Sequence, residues 1–305
     1  MLRYTLKRTA IALLTIWVVV TITFFLMHAI PGDPFTNEKK IPPEIMENLK
    51  RKYGLDKPLI VQYGKYLQNL LRGDLGDSMH FKARSVNKIL GESFPVSAKL
   101  GLLSVGLGAV LGITFGIIAA LNRAKFFDYF VIILAVIGVS VPQFVFGSLF
   151  QWLFGVKFQW FPVAQWGTPA HYVLPVCALG FRMIAYIARM MRTSMLDVLG
   201  QDYVKTARAK GLSRNVVIWK HTIRNAILPI VTILGVAIAG VVVGSFVIEK
   251  IFAVPGMGKH LVQSIQQNDY TMIMGTTVFY AIILIVMMYL IDLFYGIVDP
   301  RIRLD

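Results

Sequence analysis

Charge is what this chain has least of. Only 15% of its 305 residues are Asp, Glu, Lys or Arg, where a soluble domain carries about a quarter. Such a low share argues against a water-facing exterior. Cysteine is nearly absent: Cys177 stands alone, so no internal disulfide framework can form. The five histidines, His28, His80, His171, His221 and His260, are spaced too widely in sequence to suggest a metal pair. No phosphate-binding loop of the Gly-x-x-x-x-Gly-Lys-Ser/Thr type occurs, because Gly64-Lys65 and Gly258-Lys259 lack the surrounding pattern. His-Glu-x-x-His and Gly-x-Ser-x-Gly are missing as well. The chain therefore reads as a non-enzyme, with no catalytic residue, metal site or cofactor of its own.

Apolar residues make up 56% of the chain, and they lie in long blocks. A helix rises about 1.5 Å per residue, so roughly 20 apolar residues cross a hydrocarbon layer of about 30 Å. Blocks of that kind run over Thr9–Ile30, Leu100–Leu121, Tyr129–Val156, Tyr172–Ala188, Ala226–Ile248 and Tyr270–Ile291. They predict an all-α integral membrane protein with about six spans. The third block is longer than a crossing needs, which predicts a tilt or an overrun past the interface, and Pro142 inside it predicts a kink. The fourth is interrupted by Arg182. The first block exceeds a signal-peptide core and no small-residue cleavage site follows it, so it is read as retained.

The net charge of +15 follows from topology rather than from nucleic-acid binding. Arg3, Lys7 and Arg8 precede the first span, and Arg123 with Lys125 fall in the next inside loop. The stretch between spans four and five holds Arg189, Arg192, Lys205, Arg208, Lys210, Arg214, Lys220 and Arg224, and the C-terminus adds Arg301 and Arg303. This places both termini inside. Three regions result: an N-terminus and first span at 1–30, an outer segment at 31–96, and a core at 97–305 that includes an inside loop at 192–225. Within the outer segment, Pro43–Tyr53 and Pro58–Leu71 predict two helices, the second with Leu59, Tyr63, Tyr66, Leu67 and Leu70 on one face. They serve as a small cap or as a docking surface for an external partner.

Small residues recur at four-residue spacing in the second span, at Ser104, Gly108, Gly112, Gly116 and Ala120, and suit close helix packing within the subunit. In the inside loop Asp202 is suited to cap a helix over Tyr203–Lys210, with Gly211 as its stop, and Ser213 to cap a second helix. Ala207 and Ala209 keep parts of the first helix slim. By itself this excursion is either a peg for a cytoplasmic partner or an anchor along lipid headgroups.

Asp202-Tyr203-Val204-Lys205-Thr206-Ala207-Arg208-Ala209-Lys210-Gly211-Leu212 resembles the Glu-Ala-Ala…Gly loop of ABC-importer permeases. Aligned on Gly211, Lys205, Thr206 and Ala207 take the Glu-Ala-Ala places, so the glutamate is absent. Leu228-Pro229 also stands later than in the general motif. Thr206-Ala207-Arg208-Ala209-Lys210-Gly211 and His221-Thr222-Ile223-Arg224-Asn225-Ala226 suit the oligopeptide/dipeptide/nickel branch. Similar to its B-type permeases are Pro31-Gly32-Asp33-Pro34, Tyr53-Gly54-Leu55-Asp56-Lys57-Pro58 and Gly73-Asp74-Leu75-Gly76-Asp77-Ser78. So are Glu249 and Phe252 with Pro255-Gly256-Met257-Gly258, then Asp269-Tyr270 and Asp299-Pro300-Arg301.

The resemblance implies a type I ABC-importer permease fold in the cytoplasmic membrane. It implies a second, C-type permease, two cytoplasmic ATPase subunits that hold ATP and Mg, and an external substrate-binding protein. The implied cargo is peptide, with nickel or another small solute as the alternative. Asp202, Tyr203, Lys205, Thr206, Ala207, Arg208, Ala209, Lys210 and Gly211 would couple to the ATPases. Pro255, Gly256, Met257 and Gly258 would serve the outer gate or meet the binding protein. Other readings are an ion-coupled secondary transporter and, without motif support, an intramembrane enzyme. A guanidinium at a helix centre costs about 2.5–3.5 kcal/mol on insertion scales, so Arg182 is expected to face the bundle interior. There it would pair with a group such as Asp292, or line the pathway and meet a peptide carboxylate or backbone carbonyls.

Overall fold

The computed structural model describes residues 2–29, 43–81, 84–242 and 244–298. The Pro31-Gly32-Asp33-Pro34 and Asp299-Pro300-Arg301 motifs, and the side chains of Arg3 and Asp292, lie outside the described residues. Helices dominate, and among the described residues the only β pairing is one isolated bridge between Asp77 and Ser85. The chain divides into two compact units, Met1–Pro95 with Lys259–Asp305, and Val96–Gly258.

Four helices are long and apolar enough to cross a membrane. They are α1 (Leu2–Ala29), α4 (Val86–Leu121), α7 (Pro169–Leu199) and α14 (Tyr270–Val298). Two bent pairs raise the number to six. The first joins α5 (Phe126–Ser140) to α6 (Gln143–Phe150), which continues as a π-helix over Gln151–Lys157. It turns by 106°. The expected tilt of one long span is therefore replaced by a sharp break at Val141-Pro142, where proline lacks the donor that would continue the ladder. With 15 residues, α5 reaches only about 22 Å. The second pair bends by 45° between Arg214–Ala226 and Leu228–Val241.

Two other expected boundaries move. The helix that carries the second apolar block begins at Val86, ahead of that block, and holds Pro95 inside it. The fifth stops at Val242, as α11 (Leu228–Val242). Gly244 at φ +95° turns the chain, and Phe246–Ile251 forms the separate helix α12. The outer helices stand where the turn residues place them, as α2 (Pro43–Tyr53) and α3 (Leu59–Leu71). Gly54 at φ +71° stops α2 in a conformation that glycine adopts without penalty.

In the first unit α1 lies along α14. Phe24, Met27, Tyr270 and Met274 bury together with Tyr63 and Tyr66 of α3 against them. Asp269, fully buried, opens α14. Its Oδ1 accepts from Met272 N at 3.0 Å, and its Oδ2 accepts from the Ser78 hydroxyl and from His80 N at 3.2 Å. One carboxylate thus caps the last span and holds the chain that leads into the second.

The second unit is built on α7. Its best 18-residue window is 56% buried, against 17–33% in the other three long helices, so the span that Arg182 interrupts is the inner one. Thr168 and His171 form a capping box at its start, with Pro169 in the first turn. The small-residue row of α4 meets α7 directly. A Cβ at Gly112 would stand 2.7 Å from Ile187 Cβ, and one at Gly108 2.5 Å from Met183 Cγ. The stripe is thus internal packing, and it brings the helices close enough for dispersion contacts to replace the missing hydrophobic drive in lipid. Arg192 Nη2 donates to Asp128 Oδ2 at 2.9 Å and Arg192 Nε to Asp128 Oδ1, tying the start of α5 to α7. Asp128 also accepts from Ala124 N at 2.9 Å.

Gly112→Leu is expected to force α4 from α7 at an overpacking cost of about 1–3 kcal/mol. Gly106 has nothing within 4 Å of its Cβ position, so Gly106→Ala should leave stability unchanged. Thermal unfolding of the purified protein in detergent compares the two. Equal midpoints would show that α4 and α7 do not depend on this glycine row.

Candidate functional site

Three features of the second unit carry chemistry: the basic excursion after α7, the glycine turn around Glu249, and a recess at Arg182.

The excursion opens with α8 (Asp202–Ala209). Gln201, not Asp202, occupies the N-cap position, and its carbonyl accepts from Val204 N at 3.1 Å. Asp202 instead sits in the first turn and pairs with Lys205 Nζ at 2.9 Å. The acidic start and Arg208 in the last turn both suit the helix dipole. The helix ends at Lys210, and Gly211 at φ +76° provides the left-handed turn. Val204 and Ala207 face inward and pack on Val217 with Val198. Ala207 is slim because it is a packing residue, whereas Ala209 is exposed.

The next segment is α9 (Arg214–Val216), a π-helical turn at Val217–Ile223, and α10 (Arg224–Ala226). Ser213 stands at its N-cap without a side-chain cap bond. Thr222 Oγ1 donates to Val217 O at 3.0 Å across the π turn, and Ser194 Oγ donates to Ala226 O at 2.7 Å, fastening the segment to α7.

The outward side of this excursion mixes charge and apolar surface. Tyr203, Leu212, Val216 and Trp219 are 39–68% exposed, beside exposed Lys205, Arg208, Lys210, Arg214 and Lys220. Thr206 and Gly211 are exposed too. A helix pinned by its inner face, with exposed aromatic and basic residues outside, has the makeup of a protein-docking surface. Sequence reasoning selected α8 and missed Leu212, Val216 and Trp219. Apolar residues in a basic loop were the available signal.

The glycine turn is organised by Glu249, which is fully buried. Ser97 Oγ donates to Glu249 Oε1 at 2.7 Å, and Gly258 N donates to Oε2 at 2.8 Å. Ser97 Oγ in turn accepts from Met257 N at 2.9 Å. A Cβ at Gly256 would stand 2.5 Å from both Glu249 Oε2 and Ser97 Oγ, and one at Gly244 2.8 Å from Glu249 Oε1. The glycines are thus a cradle for a carboxylate. Of the four turn residues only Pro255 is exposed, while Gly256, Met257 and Gly258 are buried. Nothing in the local pattern singled out Ser97.

Arg182 stands near the middle of α7 and is exposed. It lines a cavity of about 480 Å³ together with Tyr186, Gln143, Ser104 and apolar residues of α11. Among the described residues it makes no ion pair, and the side chain of Asp292 is not among them.

In the first unit, a cavity of about 270 Å³ is lined by Phe24, His28, Lys57, Tyr66, Asp74 and Asp77 among others. Burial pushes the Tyr66 phenol upward. Burial, then Lys259 and Arg84, hold the His260 imidazole below its ordinary range.

Long apolar helices and broken spans define a multi-pass helical membrane component. The pattern of the family described as "Binding-protein-dependent transport system inner membrane component" matches residues 112–304. Its N-terminal counterpart, "Binding-prot-dependent transport system membrane comp, N-term", matches residues 1–101. The chain belongs to this family. It is 49% identical over 304 residues to the dipeptide transport system permease protein DppB of Bacillus subtilis, covering 100% of this chain and 99% of that one. It is 42% identical over 305 residues to the oligopeptide transport system permease protein OppB of Haemophilus influenzae, covering 99% and 100%. Its fold is similar to a chain in the crystal structure of an amino acid ABC transporter with histidines. There the TM-score is 0.56 at 17% identity, over 70% of this chain and 95% of that one. The likeness extends to the fold of a type I permease.

Glu249→Ala would leave Ser97 and Gly258 N without their acceptor, at about 1–3 kcal/mol for each buried group. Glu249→Ala and Gly256→Ala are each expected to lower the unfolding midpoint by several degrees, with Pro255→Ala close to wild type. A Gly256→Ala protein as stable as wild type would show that the turn has room to relax around the carboxylate.

Proposed function

We propose that this chain is the pore-forming permease subunit of an importer that moves peptides across the cytoplasmic membrane, driven by ATP hydrolysis on separate subunits. The observation that carries this reading is the 49% identity, along the whole chain, to a dipeptide transport permease. In the proposed assembly a second, C-type permease completes the pathway. Two ATPase subunits, which hold ATP and Mg, dock on the inside, and an external binding protein delivers the peptide. The basic residues around α8 support an inside location for this excursion and for both termini.

Coupling runs through α8. Asp202, Tyr203, Lys205, Thr206, Ala207, Arg208, Ala209, Lys210 and Gly211 form a short rod whose inner side, with Val204, is packed on the π-helical segment. Motion of an ATPase cleft that grips Tyr203, Arg208 and Trp219 is passed to α10 and α11 through that packing. ATP binding biases the two pathway states only by its different affinity for each. At the other end Pro255, Gly256, Met257 and Gly258 form the outer gate, with Pro255 as the residue free to meet the binding protein. Arg182 lines the pathway between them.

Gly211→Pro tests the coupling. Proline holds φ near −65°, which Gly211 at +76° cannot accept. The variant is expected to insert and to bind its partner permease while peptide uptake falls to background. Uptake at the wild-type rate by a correctly inserted variant would remove α8 from the coupling route. Trp219→Ala, which removes an indole 68% exposed, should weaken co-purification of the ATPase subunits by about tenfold in affinity, as loss of an interface aromatic does. Unchanged co-purification would assign this surface to lipid headgroups.

A further inference from the structure

Resting on the peptide-permease reading, we infer that the recess at Arg182 is a cargo subsite that binds a carboxylate of the passing peptide. Arg182 lies near the midpoint of α7, a helix of 31 residues, where a guanidinium facing lipid is disfavoured. It is exposed nonetheless, and among the described residues no acid pairs with it. The cavity it lines, about 480 Å³, falls in the size range of small-molecule sites.

The polar groups in this cavity converge. Tyr186, one turn further along α7, is 39% exposed. Gln143 enters from the start of α6. Among the described residues neither side chain has a hydrogen-bond partner. Ser104, by contrast, is buried and donates to Leu100 O at 2.8 Å, so it is committed to its own helix. The rest of the wall is apolar, with Val236 and Ala237 of α11 opposite. Three unengaged polar groups on an apolar wall, one of them a fixed cation, make a site that orients a ligand by one anionic group.

A second cavity of about 400 Å³ shares Gln143, Leu179 and Val241 with the first and extends to Gly244 and Ser245. The recess therefore continues from Arg182 toward the glycine turn around Glu249. A ligand with an anionic end at Arg182 has an apolar trough for its remainder. The planar guanidinium can present two parallel N–H donors, which match a carboxylate and are wasted on a neutral amide. Short peptides offer such a group in two places, the C-terminus and acidic side chains.

The test uses the complete importer in vesicles, supplied with its binding protein and ATP, and three labelled probes. These are Ala-Ala-Ala, its C-terminal amide, and Ala-Asp-Ala C-terminal amide. Each uptake rate is taken as the ratio of Arg182→Gln to wild type, so discrimination by the unchanged binding protein cancels. The subsite predicts a fall of about tenfold for Ala-Ala-Ala and of less than about twofold for its amide, as loss of one charge-assisted contact implies. A matching fall for Ala-Asp-Ala amide would add side-chain carboxylates to what the site accepts, and its absence would restrict the site to the C-terminus. Arg182→Lys, which keeps the charge but loses the fork, should fall between wild type and Arg182→Gln for Ala-Ala-Ala. Equal losses for Ala-Ala-Ala and its amide overturn the subsite while leaving the peptide reading intact. Failure of both variants to assemble assigns Arg182 a structural role and likewise overturns it. A wild-type importer that moves none of the three probes overturns the peptide reading itself.

Discussion

A buried carboxylate with no cation beside it, among the described residues, is the constraint on which the second unit turns. Glu249 is fully buried, and its oxygens accept from Ser97 Oγ and Gly258 N. A charge or a proton in an apolar setting demands such partners. The demand propagates outward: Gly256 and Gly244 must lack a side chain to admit the carboxylate, and Ser97 must hold the first turns of the membrane-crossing part of α4 beside the glycine turn. The Pro255-Gly256-Met257-Gly258 turn is therefore closely packed around the carboxylate. Its glycines serve close approach more than freedom of φ.

The same logic appears in the first unit at Asp269, which collects Ser78, His80 and Met272. In each unit one buried acid fastens a helix to a segment far away in sequence. Other contacts of the second unit are of a different kind. Arg192 and Asp128 form a two-pronged ion pair, and α8 is held by the small cluster of Val204, Ala207 and Val217. Within the second unit α7 packs on Ile248 and Phe252 along one stretch and meets Asp128 and Ala226 further along. Arg182 sits on α7 between these two stretches, which is why its recess connects toward the glycine turn.

Much of the architecture could be read from order along the chain. The apolar blocks located the spans, Gly54 and Gly211 marked the ends of α2 and α8, and the spacing of Gly108, Gly112 and Gly116 identified a packing face. Where boundaries moved, non-local packing had overridden a local signal. The second apolar block starts at Leu100, yet α4 begins at Val86, whose side chain is fully buried. Pro142 reads as a kink, yet the chain folds back by 106°, because α6 finds its place against α7. Asp202 has the chemistry of a cap, but Lys205 is near enough to claim its carboxylate.

Hydropathy, turn chemistry and helix periodicity act over a few residues, so the sequence alone determined the membrane class, the helical content, the short helix α8 and the absence of a nucleotide-binding motif. Which acid meets which donor could not be read that way. Ser97 and Glu249 are 152 positions apart, and Ser78 and Asp269 are 191 apart. Such pairs form only once the packed helices bring distant segments within hydrogen-bond reach. The tertiary structure likewise decided that Arg182 stands at an open recess with no ion-pair partner among the described residues, because the exposure of a side chain depends on which neighbouring helices stop short of it.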